Sequence, residues 1–440
     1  MKDAFFSFFD AVSKGLRGEE QFTAHFNGEI SDFVRFNHGK IRQPGNVAQR
    51  HCSLTLIHGK RHACLSVCLT GEHAEDVRRG NEVLGRLRDW VQFIPDDPHL
   101  CLPDTVNSTE RLGENRLVDP EQMVDDILHS VVGDDMVGIL ATGSIACGFA
   151  SSSGQKNWFT AHPYSLDWCL YHKGDKAVSN TYSGFDWDAD TLRQKMALAR
   201  QNLSILTQPT KTVKPGAYRA YLTPAAVGEL VGLCAWGGFS AQSTQIGMSP
   251  LMALSTGEKQ LDSRVTMREN LADGVAEDFQ EDGFTRPGAL SLIEKGKLVG
   301  TLCSPRTAVE YGLENNGASG SESPCALDMK GGDLEEKDIL SQLDTGLYVS
   351  NLWYLNYSDR SAGRMTGMTR FATLWVENGV PVAPVDPLRF DETIYRALGD
   401  NLVGLTKERE FNLSTSTYTR RSTNSTRVPG ALVDSFTFTL

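Results

Sequence analysis

The sequence predicts an α+β fold, with an N-terminal α/β domain over residues 1–212 and a C-terminal, mostly antiparallel β domain with flanking helices over residues 213–440. Three observations carry that expectation. Apolar residues recur at helical spacing in several separated stretches. Short β-branched and aromatic runs bounded by Gly, Pro and Asn fill much of the remainder. Lys214-Pro215-Gly216 is a strong turn signal near mid-chain and marks the boundary.

In chain order, Phe5, Phe8, Phe9 and Val12 give residues 1–20 one apolar helical face. Phe33–Phe36 reads as strand, followed by a turn at Asn37-His38-Gly39-Lys40. Ser53–His58 and His62–Leu69 flank Gly59-Lys60 as a hairpin. Residues 71–92 return to helical spacing through Val77, Val83, Leu84, Leu87 and Val91. Pro95, Pro98 and Pro103 break the chain before a helix over Glu121–Val132. Val137–Thr142, Ile145–Ser151, Trp158–Thr160 and Trp168–His172 read as strands of a meander, with Gly143 and Gly148 at its turns. Asp188–Leu206 reads as a long helix.

Beyond the boundary, Ala217–Leu222 reads as strand and Pro224–Trp236 as helix, with Pro224 pre-organised for the first turn. Ser291–Leu298 forms a hairpin, and Ser319–Ser323 a polar loop. Leu347–Leu355 and Phe371–Val376 read as strands around an exposed loop, Asn356–Arg370, that holds Arg360, Arg364 and Arg370. Glu377-Asn378-Gly379 supplies a tight turn. The Ser/Thr-rich tail from Ser414 ends in a strand, Val433–Leu440.

Composition bounds the function. At 440 residues the chain buries a large core, and 40% hydrophobic with 22% charged residues is ordinary for a globular protein. A net charge of −12 argues against a nucleic-acid-binding surface, which is basic. No apolar run approaches the ~20 residues of a membrane span, so no membrane association is expected. The N-terminal stretch reads as an amphipathic helix and not as a signal peptide. Nine scattered Cys, an odd number, fit reduced thiols and a cytoplasmic location.

Several pieces resemble the TldD/PmbA family, whose PmbA branch is also called TldE. They are Gly346-Leu347-Tyr348-Val349, Trp375-Val376-Glu377-Asn378-Gly379, the acidic turn Asp278–Gly283, the hairpin Ser291–Leu298, Arg306-Thr307-Ala308 and Asn316-Gly317-Ala318. The family's loop pattern Thr-Gly-Asp-Phe/Tyr-Ser is replaced here by Ser358-Asp359-Arg360 and Arg364-Met365-Thr366-Gly367. The family is described as modulators of DNA gyrase and as peptidase subunits. Its catalytic branch resembles zinc peptidases that carry His-Glu-x-x-x-His on the helix after the first strand of the C-terminal domain. Such a helix lets two His share one metal, with the Glu as base for a bound water. In this chain that helix, Pro224–Trp236, has Glu229 and no His, and neither His-Glu-x-x-x-His nor His-Glu-x-x-His occurs anywhere. The family's C-terminal ligand Cys is also missing, since Cys325 is the last Cys.

The resemblance therefore implies a non-catalytic TldE-like subunit with no catalytic residue and no cofactor of its own, and with zinc in a TldD-like partner. The implied assembly is a heterodimer that cuts small or unfolded peptides. A stand-alone peptide-binding or scaffolding homodimer is the alternative, and an autonomous metal hydrolase a third. For the last, His58, His62 and Cys64 at the first hairpin are the candidate ligands, with His51, Cys52 and Cys68 nearby. Cys side chains packed as small hydrophobes explain the same residues without a metal. Glu229 is expected to face solvent, and Trp236 and Phe239 to pack in the core. There is no nucleophile elbow and no phosphate loop. The positive feature is Arg360, Arg364 and Arg370 with Trp353, Tyr354 and Tyr357, suited to a peptide carboxylate or to a subunit interface.

Overall fold

A computed structural model describes residues 1–172, 174 and 176–439. The first eight strands are β1 (Gln21–Asn37), β2 (Lys40–His58), β3 (Arg61–Cys68), β4 (Glu110–Leu112), β5 (Asp135–Ser151), β6 (Lys156–Ala161), β7 (Tyr164–Tyr171) and β8 (Ala177–Gly184). They form one sheet in the order β3-β2-β1-β5-β6-β4, with β7 paired to β5 and β8 to β7. Pairing is antiparallel except between β4 and β6. The predicted turn at 37–40 joins β1 to β2, with His38 and Gly39 both at positive φ. That is the backbone a two-residue hairpin needs to match strand twist.

Helices α1 (Lys2–Ser13) and α2 (His73–Val91) cover one face. Phe5, Phe8 and Phe9 pack there on Phe22, Phe26, Leu54 and Leu84. Each such Phe contributes about 1.5–3 kcal/mol by leaving water. α3 (Pro120–Ser130) and α4 (Ala189–Leu206) enclose a second core with Met136, Leu140, Leu166 and Trp168. The N-terminus of α4 is fixed by Asp188, whose carboxylate accepts from the amides of Asp190 and Thr191.

Two expectations are corrected here. Val137–Thr142 and Ile145–Ser151 belong to a single strand, and Gly143 and Gly148 lie inside it. On one edge β5 pairs with β7 up to Thr142 and with β6 from Ile145. Gly143, at φ +125°, is the pivot between the two partners, and a Cβ there would lie 2.3 Å from the Ile30 carbonyl oxygen. The glycine re-aims the strand without ending it. Strand β8 carries no strong alternation and went unpredicted.

The second half holds β9 (Gly216–Leu222), β10 (Met267–Asn270), β11 (Ala289–Glu294), β12 (Lys297–Leu298), β13 (Ala326–Met329), β14 (Gly346–Asp359), β15 (Arg364–Glu377), β16 (Val380–Pro384), β17 (Arg389–Thr393), β18 (Leu402–Leu413) and β19 (Ser425–Phe438). β9 pairs with both β14 and β19, so the pairings β19-β17-β15-β14-β9 return to β19 and close a ring. Helix α5 (Pro224–Ala235) packs Val227, Leu230 and Val231 in one core with Leu222, Val349, Phe390 and Phe436. Thr223 caps it, donating its hydroxyl to the Ser350 carbonyl while accepting from the Ala226 amide.

The expected loop Asn356–Arg370 is instead the outer part of a long hairpin. Asn356 faces Thr366, Tyr357 faces Met365, and Asp359 faces Arg364. Along β15, Met365, Gly367 and Thr369 are buried while Arg364, Met368 and Arg370 are exposed. One face of the hairpin is solvated, so its strands tolerate the Arg residues that read as loop. The tail also pairs earlier than expected, from Ser425, against an unpredicted β18. Leu440, the end of the predicted terminal strand, lies outside the described residues. No described helix is long and apolar enough to cross a membrane.

Candidate functional site

A cleft of about 1410 Å³ opens between the two sheets. Its walls come from β7, β8 and α4 on one side and from α5, β14 and β18 on the other. This volume exceeds the ~300–1,000 Å³ of small-ligand pockets and suits an extended ligand.

Helix α5 presents its apolar face, Ala226, Val227, Leu230, Val231 and Cys234, to the core. Its opposite face, with Ala225, Gly228, Glu229, Gly232 and Trp236, lines the cleft. Glu229 is open to this space yet walled by protein, and desolvation raises its carboxyl above the usual carboxylate range. Glu229 is exposed, as expected, and the solvent it faces is that of the cleft. Trp236 is 61% exposed and lies at the cleft, against the core position expected for it, whereas Phe239 is buried.

The hairpin arginines have three different fates. Arg360 donates to the carbonyls of Met248 and Trp236, both at 2.8 Å. Its guanidinium also sits 5.4 Å and 5.0 Å from the Trp236 and Tyr357 rings. Tyr357 donates to the Leu233 carbonyl at 2.7 Å, so the hairpin satisfies orphan carbonyls at the C-terminus of α5. Arg364 pairs with Asp391 at 3.0 Å. Arg370 lies over Trp353 at 4.2 Å and Phe371 at 5.0 Å, and makes no ion pair among the described residues. Trp353 and Phe371 line the cleft, whereas Tyr354 is 79% exposed. Tyr354 (φ 53°) and Phe371 (φ 60°) hold left-handed backbones where the hairpin register shifts. Bulky residues rarely adopt that conformation, which costs about 1–3 kcal/mol each.

The other candidate ligands do not converge. Strand alternation and the register place His62 and Cys64 on one face of the first hairpin and His58 on the other. His62 Nε2 lies 3.3 Å from Asp97, which also takes a 2.6 Å hydrogen bond from Arg306. Cys52 is buried among Leu54 and Phe22, while the Cys68 thiol sits 3.3 Å from His51 Nδ1. Among the described residues no three His, Cys, Asp or Glu side chains are grouped to hold a metal ion.

Sequence reading missed Tyr221, Tyr348, Glu336, Glu408 and Glu410, which also line the cleft. Burial pushes the Tyr348 hydroxyl up to about 12. Glu336 is raised by desolvation and then by the nearby charges of Glu408 and Glu410. Glu408 and Glu410 stand two apart on one strand, the spacing that puts side chains on one face, and this was the readable signal.

A family model described as the PmbA/TldA metallopeptidase C-terminal domain matches residues 215–440, just over half of the chain. The chain belongs to the PmbA/TldD family. Its fold is similar to that of TldE from Thermococcus kodakarensis, with TM-score 0.79, 14% identity, and 99% of this chain and 100% of that one covered. It is also similar to a protein from Thermotoga maritima described as a proposed modulator of a DNA gyrase (TM-score 0.75, 14% identity, 99% of each chain). A protein of like description from Bacteroides thetaiotaomicron gives TM-score 0.74 at 17% identity, with 99% of this chain and 98% of that one covered. No curated protein matches the sequence.

The zinc that the family's metallopeptidase description implies can be tested against α5. With Glu229 as the glutamate of His-Glu-x-x-x-His, the two His positions fall on Gly228 and Leu233. Both line the cleft. The ligand positions exist in space, but neither residue can donate to a metal. The residues at these two positions of α5 do not fit zinc.

Proposed function

We propose that this chain is a TldE-like subunit of a cytoplasmic peptidase system, forming a substrate cavity with a zinc-bearing TldD-like partner. The partner supplies metal and base, and this chain supplies one wall of the cavity and part of the peptide selection. The observation that carries the reading is α5, which faces a peptide-sized cleft with Gly228 and Leu233 at the two ligand positions. Arg370, held flat on Trp353 beside the cleft, is the peptide-carboxylate contact in this reading. Arg360 and Arg364 serve the fold instead.

Co-expression with a His-Glu-x-x-x-His-bearing family member, followed by size exclusion, tests the assembly. A stable one-to-one complex is expected. A homodimer that persists in the presence of that partner would overturn it and favour the stand-alone binding protein.

A further inference from the structure

The cleft carries an imbalance of charge. Its walls include five carboxylates, Asp167, Glu229, Glu336, Glu408 and Glu410, against two cations, Lys195 and Arg409. Both cations are already engaged, Lys195 with Glu410 and Arg409 with Asp328. Asp167, Glu229, Glu336 and Glu408 form no ion pair among the described residues, so the interior presents uncompensated negative charge. A concave wall of low dielectric concentrates such a field on whatever enters.

Two tyrosines stand beside the densest part of it. Tyr221 and Tyr348 are paired across β9 and β14, with ring centroids 5.6 Å apart. Tyr221 is 2% exposed, lines the cleft, and its hydroxyl makes no hydrogen bond among the described residues. The charges of Glu336, Glu408 and Glu410 all reach it. Glu408 is held in place by the Glu336 amide, which donates to its carboxylate at 3.0 Å. A tyrosine hydroxyl at the cleft wall with no hydrogen bond among the described residues, aromatic faces and carboxylates in excess share one complement. It is an ammonium or guanidinium group, which donates to the oxygens and rests on the rings.

We propose that the cleft contains a subsite for a cationic group of a peptide, built from Glu336, Glu408, Glu410, Tyr221 and Tyr348. It rests on the peptide-cavity reading and adds the substrate class: peptides with a Lys or Arg side chain, or a free N-terminal ammonium, at this subsite. An acidic side chain there meets the two uncompensated carboxylates of Glu336 and Glu408 and is rejected, Glu410 being paired with Lys195.

The test is fluorescence anisotropy with the intact chain and four labelled peptides of equal length. One is N-acetylated with an internal Lys, one has a free amine and no Lys, one is N-acetylated and neutral, and one is N-acetylated with a Glu replacing the Lys. At least one cationic peptide is expected to bind roughly tenfold tighter than the neutral one, the Glu peptide being weakest. Which cationic peptide wins tells side chain from N-terminus. The Glu336→Gln/Glu408→Gln variant, checked for an unchanged melting temperature, is expected to bring that peptide to the neutral level. If all four bind alike, the subsite is overturned and the peptide cavity stands. If none binds either to the chain alone or to its complex with the His-Glu-x-x-x-His-bearing partner, both are overturned. A preference that survives the double variant overturns the residue assignment.

Discussion

Two arginines show how differently one side chain is used in the two regions that matter here. Arg421, at the junction of the tail with the first sheet, is 6% exposed. It donates to the Pro163 and Ala141 carbonyls at 2.6 Å and 3.3 Å and to the Ser31 hydroxyl at 3.1 Å, and buried Glu29 lies beside it. Burial lowers its pKa to about 10. Arg370, beside the cleft, is exposed, lies over Trp353, and makes no ion pair among the described residues. A charge whose donors all meet fixed acceptors is structure. A charge held in shape with its donors free is available to a ligand.

The sharpest way to break that contrast is Arg421→Met. It strands buried Glu29 without its positive neighbour and orphans several carbonyls, so about 3–5 kcal/mol of stability is expected to go. Urea unfolding reads it. Arg360→Met is next: the Trp236 carbonyl at the end of α5 and the Met248 carbonyl lose their donor and the Trp236 and Tyr357 ring contacts vanish, for about 2 kcal/mol in the same assay. Arg370→Gln is expected to change stability by no more than about 0.5 kcal/mol while weakening, severalfold, an N-acetylated peptide without charged side chains whose C-terminus is a free carboxylate, and leaving its C-terminally amidated, neutral form unchanged. Equal stability losses from Arg370→Gln and Arg360→Met would erase the distinction.

The smallest effect concerns Asp97, between the first hairpin and the helix Pro305–Tyr311. The hydrogen bond from Arg306 is the main cause that holds its carboxyl at about 2. The unfolded chain titrates near ~3.9. A depressed folded value means a contribution present above pH ~4 and lost as pH falls towards 2. The Arg306 side of the pair is half-exposed and screened by water, so Arg306→Ala is expected to cost about 1 kcal/mol at pH 7, and the gap to wild type should close as pH approaches 2.

Much of this architecture was legible. The helices α1 to α5, the turn at His38-Gly39 and the hairpin at Gly59-Lys60 follow from periodicity and turn chemistry. The hairpin β14–β15 was misread because its solvated face carries Arg364 and Arg370 and its turn Arg360, and charge resembles loop when only one face is buried. Gly143 was misread because a glycine that redirects a strand and one that ends it look alike in one dimension. At the cleft, the missing ligands on α5 and the place of Trp353 were readable. The Glu408–Glu410 spacing was a readable signal too, but their meeting with Glu336 was not, since segments some seventy residues apart in sequence meet only in the fold.

One measurement bears most directly on the assembly: zinc content and peptide cleavage of the purified chain, alone and mixed with a His-Glu-x-x-x-His-bearing partner. The expected result is no stoichiometric metal and no turnover alone, with cleavage appearing on mixing. One tightly held transition metal per chain, together with cleavage by the isolated protein, would contradict it.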